Sequence, residues 1–246
     1  MGGYGENALV RSLGFLAEKQ AAIANNLANV DTTSFKRRMA VAQESNTAFQ
    51  SVLDQQLPTI GYSERADMSR GNPRETGNNF DIAIEGPHWL RVRNQQGASF
   101  YTRSGQLQVA SDGTLTTRDG LRVLDQAGQS ITIGTGDGAP ADLTISPNGT
   151  LQDPATGQTY GTLALVTLPQ PEALVPVGSS LYVDPANQTG QQAGDGIKQG
   201  YLEGSNVDSL QELVQMIAVE RSFAATQKAL SGVNRLQENL IANILR

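Results

Sequence analysis

Cysteine is absent from this chain, and histidine and tryptophan each occur once in 246 residues. Without thiols there is no disulfide, no thiolate nucleophile and no Cys-ligated metal. Aromatic residues are only 5% of the total, which leaves little stacking surface for a sugar-binding cleft. Basic charge is scarce too. A formal net charge of -6 and an isoelectric point of about 4.8 argue against a nucleic-acid partner, which needs a basic face. No apolar run is long enough to span a bilayer, so membrane insertion is not expected. Met1 to Val10 lacks the basic-then-apolar order of a secretory signal, which taken alone points to the cytoplasm. Catalytic groups are as thin. His88 stands alone beside Trp89 and reads as a structural residue rather than a base. No His, Cys or carboxylate cluster has metal-ligand spacing. Gly134-Thr135-Gly136-Asp137-Gly138 could pass for a phosphate loop, but the chain runs on into Pro140 and a strand rather than a helix. The expectation is a protein that is not an enzyme and holds no cofactor or metal.

What the chain does have is two apolar stripes, one at each end. Leu9, Leu13, Leu16, Gln20, Ile23, Leu27 and Val30 recur at steps of four and three. Met216, Val219, Phe223, Thr226, Leu230, Val233, Gln237, Leu240 and Ile244 repeat the pattern. This spacing averages about 3.5 residues per turn and keeps one seam turned to a partner helix, as in a coiled coil. Helices are therefore expected from residue 6 to about 30 and from about 205 to the end, the second long enough to project. Asn25, Asn26 and Asn29 with Asp31-Thr32-Thr33-Ser34 mark the stop of the first, because their side chains compete for backbone hydrogen bonds. Asn206 or Ser209 is expected to cap the second, with Asp208 and Glu212 favoured by its N-terminal dipole. Thr226 and Gln237 either fix register between helices or sit at the edge of the seam. Lys36-Arg37-Arg38 reads as solvated surface.

Between the stripes the texture is β. Phe80 to Glu85 alternates as a half-buried strand should, and Trp89 to Arg93, Phe100 to Arg103, Leu107 to Val109, Leu121 to Leu124 and Ile131 to Ile133 follow. Gln96-Gly97, Asp112-Gly113, Asp119-Gly120 and Ala127-Gly128 supply the turns. Leu163 to Leu168, the most apolar strand, is expected to be central. Ser111 to Leu115 echoes Ser146 to Leu151 through shared turn chemistry. Residues 186 to 200, rich in Gly and Gln, read as a mobile connector. The fold class is α+β: N- and C-terminal helices paired as a coiled-coil-like domain, with a central all-β antiparallel domain. The divisions are 1–35 for the N-terminal helix, 36–70 for an irregular, extended connecting arm, 71–200 for the β domain and 201–246 for the C-terminal helix.

Three ordered motifs add to this reading. Ala24-Asn25-Asn26-Leu27-Ala28-Asn29-Val30-Asp31-Thr32-Thr33-Ser34-Phe35-Lys36 closely resembles the signature of bacterial flagellar rod and hook proteins. Thr76 to Gly86 and Tyr101-Thr102-Arg103-Ser104-Gly105 resemble that family's β-domain motifs. Leu202 to Asp208, with Glu212 to Ile217 and Glu220 to Phe223, resembles its C-terminal segment. The wording around Leu202 to Val207 and at His88-Trp89 is nearer the proximal rod group than the distal rod. Ser34 stands where most members have glycine, so the turn before Phe35 is expected to be tighter or less left-handed.

The resemblance implies a structural subunit of the flagellar basal-body rod, assembling through its terminal helices into a helical tube that transmits torque. Its implied partners are other rod proteins, copies of itself and the flagellar type III export apparatus. Export would then need no cleaved signal peptide, and the destination would be the periplasmic rod rather than the cytoplasm. The termini would be disordered before assembly and ordered by it. Subunit contacts are expected at Leu13, Leu16, Ile23, Asn25, Asn26, Leu27, Asn29 and Phe35, and at Asn206, Met216, Ile217, Phe223, Leu230, Val233 and Leu240. The alternatives are a distal-rod or hook-type axial protein and, from another class, a secreted β-rich binding module.

Overall fold

A computed structural model describes residues 3–44, 60–134, 142–178 and 180–244. The described chain is α+β, with one long helix near each end and antiparallel strands between them. It divides into two compact units. A helical unit takes Met1–Val30, Arg37–Asp67 and Val207–Arg246; a β unit takes Asp31–Lys36 and Met68–Asn206. Residues 135–138 of the glycine-rich run lie outside the described residues.

In the helical unit, helix α1 spans Gly3–Ala28 and helix α2 spans Ser209–Ile244, and the two pack on each other. At about 1.5 Å per residue α2 is roughly 54 Å long. The residues at four-three spacing are the covered ones. Ile23 and Val219 are buried, and Leu9, Leu13, Leu16, Gln20, Leu27, Val30, Met216, Phe223, Thr226, Leu230 and Val233 are half-buried. Burying an Ile or Val fully stabilises by about 1.5–3 kcal/mol, so these two positions hold the pair most firmly. The side chains of Gln237, Leu240 and Ile244 lie outside the described residues.

α1 stops where the asparagines begin. Asn29 Nδ2 donates to Asn25 O at 2.8 Å and Asn29 N to Asn26 O at 3.1 Å, satisfying carbonyls that a helix end leaves open. At the start of α2 the cap is neither Asn206 nor Ser209. Asp208 Oδ1 accepts from Leu210 N and Gln211 N, as its place one residue before the first helical position dictates. Asn206 instead donates to Ser69 O.

The arm expected to be irregular contains a ribbon. Strand β1, Arg38–Glu44, pairs antiparallel with strand β2, Ile60–Ala66, in unbroken register from Arg38↔Ala66 to Glu44↔Ile60. Its hydrogen bonds are backbone bonds, which need no alternation of apolar side chains to form. Met39, Val41 and Ile60 were too few to announce it.

In the β unit every strand pair is antiparallel. His88–Arg93 is the organising strand, pairing with Ser99–Thr102, Arg122–Val123 and Leu165–Thr167. Leu165–Thr167 has neighbours on both sides, as its apolar run led us to expect. Leu90, Val92, Leu115, Val123 and Leu151 are fully buried in one core. Ile131 and Ile133 join that core without forming a strand; only Thr132 bridges to Thr114. The four turn glycines, Gly97, Gly113, Gly120 and Gly128, have φ of 89°, 79°, 78° and 80°, the left-handed region that two-residue hairpins demand. The stretch expected to be mobile is instead paired: Gln191–Gln192 with Leu165–Thr167, and Ile197–Gln199 with Ile82–Ile84. Ile197 is buried in the core, and that burial outweighs the glycine-rich composition around it.

Candidate assembly surface

Two buried carboxylates organise the segments that flank the helices, one in each unit. In the helical unit Asn26 is fully buried at the last turn of α1. Its Nδ2 donates to Arg38 O at 2.9 Å and to Glu212 Oε2 at 3.1 Å, while its Oδ1 accepts from Arg38 N at 2.8 Å. Glu212, also fully buried, accepts from Arg37 Nε at 2.5 Å, and Arg37 reaches Gln215 Oε1 at 3.3 Å. Asn26 and Glu212 thereby tie the end of α1, the start of β1 and the first turns of α2 together. Glu212 also lies in the first turn of α2, where the helix dipole favours its charge, as expected.

In the β unit Glu203 accepts from Lys36 Nζ at 2.6 Å, Arg103 Nε at 2.7 Å and Gly71 N at 3.1 Å. Lys36 also donates to Ser69 O, and Arg103 to the carbonyls of Ile84, Gly86 and His88. All three charges are at most 3% exposed. Lys36 is therefore not solvated surface. A buried ammonium survives only when paired and hydrogen-bonded, and the chain supplies both. Gly71 is needed for the close approach: a Cβ there would fall 2.0 Å from Gly204 O.

Ser34 remains left-handed, with φ of 56°, so the turn is not less left-handed for want of the glycine, one of the two outcomes expected. Such a backbone costs a non-glycine residue about 1–2 kcal/mol. Bonds offset it: Ser34 N donates to Glu203 O at 2.8 Å and Ser34 Oγ to Arg103 O at 2.8 Å. Phe35 is buried, and its carbonyl accepts from Asn206 N. Phe35 and Asn206 are thus joined inside the β unit.

Apart from Leu240, whose side chain lies outside the described residues, the expected contact residues therefore fall into three groups. Asn26, Asn29, Phe35 and Asn206 bond within their own units. Leu13, Leu16, Ile23, Leu27, Met216, Phe223, Leu230 and Val233 lie on the covered stripes. Thr226 on that stripe turns its hydroxyl to Ser222 O of its own helix, so it needs no partner across the seam. Ile217 and Asn25 remain open. Ile217 is 51% exposed, alongside Leu210 at 70%, Leu213 at 50% and Val214 at 60%. These four lie at i, i+3, i+4 and i+7, a second apolar face on α2 that the stripe reading did not pick out. The signal was present in the sequence: Leu210, Leu213, Val214 and Ile217 break the register of the longer stripe. Asn25 Oδ1 is buried without a hydrogen-bond partner.

His88, the lone imidazole, shares a hydrogen bond of 2.7 Å between its Nδ1 and Thr167 Oγ1. Burial, and then the Arg103 guanidinium, hold its pKa below the ordinary histidine value, with Asp195 opposing. Among the described residues no group of His, Asp or Glu is placed to hold a metal ion, and no helix is long and apolar enough to cross a membrane.

Three family models match the chain in order. Residues 13–36 match "Flagella basal body rod protein", residues 83–152 the "Flagellar hook protein FlgE/F/G D1 domain", and residues 198–243 the "Flagellar basal body rod FlgEFG protein C-terminal". Lys36 and Glu203, paired in the β unit, fall in the first and last of these. Among similar proteins, the flagellar basal-body rod protein FlgG of Buchnera aphidicola subsp. Schizaphis graminum is 30% identical over 242 residues, covering 89% of this chain and 91% of its own. FlgG of Bacillus subtilis is 29% identical over 249 residues, covering 89% and 90%. The basal-body rod protein FlgF of Salmonella typhimurium is 30% identical over 236 residues, covering 88% of each.

Proposed function

This chain belongs to the flagellar basal-body rod protein family and is a structural subunit of the rod, and from that premise we propose that it assembles through its terminal helices into a helical tube that transmits torque. The observation that carries the mechanism is the second apolar face of α2. One face of that helix is covered within the chain, while Leu210, Leu213, Val214 and Ile217 are half or more exposed on the side away from it. Exposed apolar surface gathered on one helix face marks a protein–protein contact. A contact that joins different patches on successive subunits does not close on itself and propagates as a helix.

On this reading α1 and α2 pair like a coiled coil within a subunit and pack against other subunits' helices outside it. The partners are other rod proteins and copies of this chain. The subunit travels through the flagellar type III export apparatus without a cleaved signal and takes its place in the proximal part of the periplasmic rod. The helices gain much of their order on assembly, since the exposed face has nothing to cover it beforehand. With the catalytic constellation missing from its sequence, we read the chain as a non-enzymatic part.

Electron microscopy of basal bodies from a strain lacking this chain tests the placement. The expected result is loss of the rod beyond its innermost segments. Complete rods in that strain would contradict it.

A further inference from the structure

The helical unit carries a cleft of about 500 Å³ between α1 and the β1–β2 ribbon, lined by Glu18, Asn25, Arg38, Ser63, Glu64 and several alanines. Two buried polar atoms in its lining, Asn25 Oδ1 and Ser63 Oγ, have no hydrogen-bond partner. An unpartnered buried polar atom is destabilising, and two in one cleft point to a site finished by something else. Its alanines let a helix come close. The carboxylates of Glu18 and Glu64 stand at its rim, exposed, and Arg38 lies 3.5 Å from that of Glu64. The missing occupant must therefore donate hydrogen bonds and carry positive charge.

The chain presents such a surface. Arg221, Lys228 and Arg235 recur every seven residues on α2, all exposed, and among the described residues none makes an ion pair. At about 100° per residue they continue the face of Leu210, Val214 and Ile217, roughly opposite the covered stripe. The face is apolar near the start of α2 and basic beyond it. We propose that the Arg221–Lys228–Arg235 stripe of one copy docks into the Asn25–Ser63 cleft of a second copy. Arg and Lys supply the N–H donors that Asn25 and Ser63 lack and meet the carboxylates at the rim. The apolar part of the same face then lies against the neighbour beside the cleft. This inference rests on the assembly reading above and gives it a partner and a polarity, α2 of one subunit onto α1 and the ribbon of the next.

Charge reversal in a strain that depends on this chain for motility tests it, reading the amount of chain in isolated basal bodies. Reversing the stripe (Arg221→Glu with Lys228→Glu) and reversing the rim (Glu18→Lys with Glu64→Lys) should each lower incorporation about tenfold or more, because like charges then face each other. Combining the four should restore most of it, with thermal unfolding of the free chain unchanged by the stripe reversal and only slightly lowered by the rim reversal, which loses the exposed Glu64–Arg38 pair. Ser63→Ala should lower incorporation while leaving the free chain's melting temperature the same or higher. Normal incorporation of either reversal, or loss without rescue in the combination, would overturn the docking. If the unaltered chain is itself missing from basal bodies, the assembly reading falls first and this inference with it.

Discussion

In the β unit Leu90, Leu115 and Leu151 show no exposed surface, and the three central charges are closed on one another. In the helical unit Leu210 and Val214 leave more than half of theirs in solvent, and Asn25 and Ser63 keep buried atoms unpaired. The contrast is one of degree, since Arg91 and Arg93 in the β unit also keep a buried Nε without a partner, but the open apolar surface gathers on α2. The difference lies in where apolar surface is closed: in the β unit a shared core takes it, whereas on α2 one whole face is left outside. A helix that leaves an apolar face open is written for neighbours.

Breaking the closed region should have the largest effect on stability. Glu203→Ala removes the one carboxylate between two buried cations, and leaving such charges uncompensated costs about 3–5 kcal/mol. Lys36→Met removes one of two cations and leaves a balanced Arg103–Glu203 pair, so it should cost clearly less. Denaturant unfolding of the two variants measures the order; the reverse order would contradict a network whose one anion is its keystone.

A smaller effect comes from His88. Its pKa is lower in the folded chain than in the unfolded one, because of burial and the nearby Arg103. The unfolded chain therefore binds the proton more readily. The contribution of this group is full above the ordinary value of 6.5 and is lost as pH falls through that value towards the lowered one. Melting temperatures of the full chain at falling pH should decline slightly through this window, and less so in His88→Gln. An equal decline in both proteins would assign the effect to other groups.

Much of this contrast was legible in the residues. The four-three stripes foretold which side chains are covered, and the Asx-Gly turns foretold left-handed glycines. Ser111 to Leu115 and Ser146 to Leu151 close the same turn, with Asp112 and Asn148 accepting from the amide two residues on. What stayed hidden depended on distant partners. Lys36 looks like surface until Glu203, far along the chain, is placed beside it. Ser34 departs from the family's glycine, yet hydrogen bonds to Glu203 and Arg103 hold it in glycine's conformation. The ribbon was missed because backbone bonds leave little mark on side-chain order. Leu210, Leu213, Val214 and Ile217 were visible as letters, but only their exposure separates them from the covered stripe.

The central claim, that the terminal helices carry assembly while the β unit stands by itself, is tested most directly by Ile217→Asp. Its side chain is exposed on α2, so a carboxylate there touches no core. Incorporation into basal bodies should fall by at least about tenfold, since burying an unpaired carboxylate in a subunit contact costs several kcal/mol, while thermal unfolding of the purified chain stays unchanged. Normal incorporation with normal motility would contradict the account.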